Sequence, residues 1–127
     1  MAGELQLALA YELTPQNAPL FAADIVAQAA SQGVVLDYSA STLDWLDSVT
    51  DSLRAGAVTV EQIPEVLFGF GCLLGECIAR GSGGEWVEAA FDVPIGLRVK
   101  GTILDPVGYA FATLASGRTY AAYAQSL

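Results

Sequence analysis

Leu5, Leu7, Leu9 and Tyr11 alternate with smaller or polar residues at the start of the chain. A period of two is strand-like, yet the stretch is rich in Leu and Ala, so a short helix competes and both readings stay open. From Gln16 to Ser31 the period lengthens, and Phe21, Ile25 and Ala29 fall on one helical face. Thr14-Pro15 supplies a cap and a first-turn proline, and Gly33 supplies a left-handed stop. Val34-Val35-Leu36 reads as a short extended piece. A second helix opens at Ser41, with Asp44 in a capping-box-like place, and ends at Gly56. Its apolar face carries Leu43, Leu46, Thr50 and Leu53.

The third helix is the longest, roughly from Val60 to Arg80. Pro64 pushes Ile63 from helical angles, so the regular helix can begin as late as Pro64. Gly71, Gly75 and Ala79 recur every four residues, with Gly69 close by. Each helical glycine costs about 1 kcal/mol against alanine, so close approach of other elements must compensate. This helix is therefore predicted to be central and packed on more than one side.

Gly81-Ser82-Gly83-Gly84 is a turn, and Trp86, Val87 and Phe91 favour a strand over Glu85 to Phe91. Ile95, Leu97, Val99 and Ile103 then alternate with Gly96, Arg98, Lys100 and Thr102, as in a half-buried strand; alternatively, Lys100-Gly101 turns the segment into a hairpin. The short Asp92-Val93-Pro94 connection makes the pairing antiparallel. Asp105-Pro106 starts a helix that Gly117 ends, and Thr119 to Gln125 adds a turn or two. The sum is a single α+β domain over residues 1–127, about four helices packed on a small antiparallel sheet.

Composition narrows the chemistry. Apolar types make up 54% of the 127 residues, so a full core is available, and any surplus apolar surface points to a homodimer. The net charge is −9, from 14 acidic and five basic residues. Binding to a nucleic-acid backbone needs clustered cations, so neither nucleic acid nor an anionic membrane is an expected partner. A basic protein would be steered to such a surface. Glu4 stands where an export signal needs positive charge, and the uncharged run from Val66 to Gly75 is too short for a bilayer. Cys72 and Cys77 lie about 140° apart on a helix, which suits buried free thiols in a reducing cytoplasm.

The chain has no histidine, which removes Ser–His–Asp and Cys–His catalysis and the commonest zinc ligand. No phosphate-binding glycine loop is present, and no cofactor or metal is expected. The densest carboxylate group is Asp37, Asp44, Asp47 and Asp51, with the last three on one helical face. It reads first as a solvated face, with Arg54 reaching back to Asp51, next as a patch for a basic partner, and last as a Ca²⁺ or Mg²⁺ site. Glu76 is the oddest residue, a carboxylate in an apolar, glycine-laced helix. It is expected to pair with Arg80 or to cap the Gly83-Gly84 turn, and Trp86 to pack on the same helix. The functional alternative is a pocket built from Glu76, Arg80 and Trp86. Arg98 and Lys100, with Arg80 and Arg118, either guard an edge strand or hold an anion.

Three stretches together resemble a group of uncharacterised, mostly actinobacterial domains. They are Leu36-Asp37-Tyr38-Ser39 leading to Leu43-Asp44-Trp45-Leu46-Asp47, Leu74-Gly75-Glu76 leading to Gly83-Gly84-Glu85-Trp86-Val87, and Leu104-Asp105-Pro106 with Gly117. The resemblance spans about residues 34–127. It implies a compact α+β fold and a bacterial cytoplasmic protein, with a thin link to toxin–immunity loci; it carries no catalytic residue. Three function classes follow: an acidic, immunity-like interaction module, a structural homodimer or scaffold, and a ligand binder or enzyme using Glu76, Arg80 and Trp86.

Overall fold

A computed structural model describes residues 11–91 and 93–127. The strand-or-helix question at Leu5 to Leu9 falls outside them. Pro15–Asn17 form a 3-10 turn that runs into helix α1, Ala18–Ser31. Thr14 is extended but gives no side-chain cap, so proline rather than a hydroxyl starts this helix. Gly33, at φ 83°, ends it as predicted: its N–H and that of Val34 donate back to Ala30 and Ala29.

Helix α2 runs Ala40–Ala55, starting earlier than expected because Ser39, not Ser41, is the cap. Ser39 itself donates to Asp37, and buried Thr42 accepts from the Asp37 and Tyr38 N–H groups. Local side-chain bonds thus hold Tyr38 at φ 64°, a costly conformation for a bulky residue. At the other end Gly56 caps with an ordinary φ, and the left-handed position falls on the next residue, Ala57.

Helix α3, Pro64–Ser82, is the spine. Every residue from Leu67 to Ile78 is buried, which its sequence can do only because the glycines let neighbours come close. A Cβ on Gly69 would lie 2.8 Å from Ile25 Cδ1 of α1. One on Gly71 would strike Val107 Cα and sit 3.0 Å from the Pro106 carbonyl. One on Gly75 would overlap the Trp86 ring. The stripe of Gly71 and Gly75 therefore receives the start of α4 and an indole, while Gly69, on the other side of the helix, receives α1, so α3 is packed on more than one side as predicted.

Strands β1, Glu85–Glu88, β2, Ile95–Val99, and β3, Thr102–Leu104, form an antiparallel sheet in that order. The first strand stops at Glu88, short of the expected Phe91. The hairpin alternative holds at Lys100-Gly101, where both residues have positive φ, the geometry of a tight two-residue turn. This moves Ile103 off the face of Leu97 to sit opposite Arg98, where it is 45% exposed. Helix α4, Pro106–Ser116, is capped by Asp105, which accepts from the Gly108 N–H at 2.9 Å. Helix α5, Tyr120–Gln125, closes the fold, with Tyr120 fully buried. The result is α+β: among the described residues, five α-helices with the three-stranded sheet against α3 and α4.

Candidate functional site

Glu76, Arg80 and Trp86 do meet. The α3 spacing places Glu76 and Arg80 one turn apart, and the tight Gly83-Gly84 turn folds β1 back so that Trp86 lies over Gly75. Glu76, only 7% exposed, accepts from the Trp86 indole Nε1 at 2.8 Å and from Arg80 Nε at 3.2 Å. The Arg80 guanidinium carbon lies 3.6 Å from the centroid of the Tyr38 ring. The cluster is an occupied clamp: each charged group has a partner, and the indole fills the space a ligand would need. It welds α3 to β1 and to the segment before α2.

The four aspartates separate into two roles. Asp37 and Asp47 are structural. Asp37 accepts from the Ser39 hydroxyl and N–H, which lower its carboxyl below the ordinary value. Asp47 reaches across the fold to accept from the Tyr120 N–H at 2.6 Å and the Ala121 N–H at 3.3 Å, while Thr119 takes the Ala122 N–H. Three donors of the α5 first turn are thereby satisfied. Asp44 and Asp51 are exposed on α2 and make no ion pair among the described residues. Arg54 does not reach back to Asp51; its guanidinium lies over Gly117, where a Cβ would come within 2.9 Å of it. Among the described residues no three Cys, Asp or Glu side chains converge as a metal site would require.

Asp47 is the staple of α5. Asp47→Ala is expected to lower stability by about 1–2 kcal/mol, the usual cost of a lost helix cap, and to fray α5 first, as hydrogen exchange would show. Desolvation, which outweighs its two N–H bonds, holds the Asp47 carboxyl above its ordinary 3.8. The folded state therefore holds this proton more tightly than the unfolded chain. Its contribution is full below 3.8 and is lost as pH rises through the folded value. Asp47→Asn should flatten that acidic limb of the stability curve, modestly, because water screens much of the group.

Arg98 sits on β2, the centre of the sheet, not on an edge. It pairs across the ladder with Glu85, so it neither guards an edge nor waits for an anion.

A groove that sequence reading did not find lies beside the clamp. It has a volume of about 500 Å³ and runs between the start of α2, the end of α3, and α5. Tyr38, Leu43, Cys77, Ile78, Ala121 and Leu127 give its apolar lining, and Asp44 stands at its rim. Glu76, Arg80 and Trp86 do not line it. No local pattern in the sequence marks it, because its lining comes from three separate segments.

Both thiols are free and buried, and burial pushes each up, Cys77 to about 12. Thiolate is the reactive form. Neither should alkylate at neutral pH until the protein opens, and Cys77, at the groove, should react first as pH rises. Rapid labelling of Cys72 ahead of Cys77 in the native protein would contradict this.

No family model, curated protein or solved structure matches the chain.

Proposed function

We propose that this chain is a non-enzymatic protein–protein interaction module, immunity-like, that offers an acidic surface to a basic partner. One observation carries the reading. Of the five cations, Arg80 and Arg98 are held by Glu76 and Glu85, and Arg54 is laid on Gly117. Exposed acids such as Glu12, Asp44, Asp51, Glu61, Glu65 and Glu88 are left without a cation among the described residues. The resulting negative field steers cationic partners and repels nucleic-acid phosphate. The absence of histidine and the satisfied state of Glu76 support a non-catalytic role.

Among the described residues no helix is long and apolar enough to cross a membrane. A bacterial cytoplasmic setting, as the resemblance implies, completes the proposal. A homodimer reading would draw on the exposed large apolar side chains Leu20, Val35, Val66, Ile103 and Leu127. Light scattering at a monomer mass in concentrated solution removes it.

The test is the product of the neighbouring gene. The reading expects a basic protein whose toxicity is relieved by co-expression of this chain, through a complex that weakens as salt rises. A neighbour product that is neither basic nor bound overturns it.

A further inference from the structure

We infer that the groove between α2, α3 and α5 is the docking site for an amphipathic basic segment of the partner, which seats apolar side chains on Leu43, Ile78 and Ala121 while its Lys or Arg residues meet Asp44. This rests on the interaction-module reading above and gives that reading a place. The groove's size, about 500 Å³, suits two or three aliphatic side chains. Its continuation past Ser82, Ala124 and Leu127 towards Lys100 and Leu104 gives length for a segment instead of a single residue.

Charge decides the occupant. Of the cations near the groove, Arg80 is committed to Glu76 and stacked on Tyr38, and Lys100 stands at the far end of the continuation, so the carboxylates at the α2 end are where a cationic flank would sit. Asp44 at the rim is exposed, and Asp37, one residue from groove-lining Tyr38, is exposed as well. A second copy of this chain would bring the same acids to the same place, so like charges oppose a groove-to-groove dimer. An apolar channel with a negative lip fits an amphipathic helix or strand with a cationic flank.

The probes are three fluorescent peptides of about 14 residues: one with Leu at helical spacing and Lys elsewhere, one with Glu in place of Lys, and an oligolysine without Leu. Binding is read by anisotropy, and groove occupancy by shifts of the Leu43 and Ile78 methyl resonances in NMR spectra. The Leu/Lys peptide should bind best and shift both. Ala124→Phe, which fills the groove from a half-exposed position, and Asp44→Lys, on an exposed position, should each weaken it by about tenfold or more. Circular dichroism would check that both variants fold.

Equal binding of Leu/Lys peptide and oligolysine, with the Leu43 and Ile78 methyls unshifted and Ala124→Phe silent, overturns the groove and leaves the acidic-surface reading standing. Equal binding of the Leu/Glu peptide overturns the cationic assignment. If no probe binds, the groove proposal falls and the electrostatic support for the module falls with it.

Discussion

Replacing Gly71 with alanine is expected to destabilise the protein by about 2 kcal/mol, although alanine is the better helix former by about 1 kcal/mol. The reason is what the new methyl meets. It would strike Val107 Cα and approach the Pro106 carbonyl and the Val107 nitrogen at 3.0 Å. These are backbone atoms at the capped start of α4, and they cannot swing aside as a side-chain tip can. Overpacking of a tight core typically costs about 1–3 kcal/mol, and a backbone neighbour places this site at or beyond the upper end. Gly81 is the control, because it lies in the last turn of the same helix with nothing within 4 Å of an added Cβ. Gly81→Ala should stabilise by up to about 1 kcal/mol. Urea denaturation of the pair would decide the matter: if both substitutions stabilise, the small stripe is not what seats α4 on α3.

The second large effect is expected at Glu76. Glu76→Ala should cost about 2–3 kcal/mol, since it strands the half-buried Trp86 indole N–H and removes a charge-assisted hydrogen bond. The Arg80 side chain, 56% exposed, can turn to water, so the ion pair itself contributes little of this. Glu76→Gln keeps an acceptor for the indole and should lose about 1 kcal/mol. A cycle with Trp86→Phe should show coupling of about 0.5–3 kcal/mol. Independence of the two sites would mean that the clamp does not hold β1 to α3. Loss of partner binding in Glu76→Gln at unchanged stability would return Glu76 to the list of functional groups.

Helices and turns were legible wherever a local rule operates. The stop at Gly33, the start at Pro64, the Asp105-Pro106 start and the glycine stripe of α3 each follow from backbone sterics or spacing within one segment. The misreadings share a cause. Ser39 displaced Ser41 as the α2 cap because Thr42 and Asp37 bond the preceding backbone, a competition among several equivalent hydroxyls. Ile103 left the expected face because alternation cannot tell one long strand from a tight hairpin until a partner strand is in place. Arg98 was taken for an edge residue for the same reason.

Sequence alone determined the approximate places of the helices, the small stripe of α3, the excess of carboxylates and the lack of imidazole, because each depends on residue identity and on periods within one segment. Tertiary structure alone decided which carboxylates are spent. Asp47 and Asp44 are three residues apart on α2, yet one caps a helix 73 residues away and the other faces solvent. It also made the groove, whose walls come from three segments distant in the chain. Periodicity reports which side of an element is buried; only the packing of elements against one another sets the distances that turn a carboxylate into a cap, a clamp or an exposed charge.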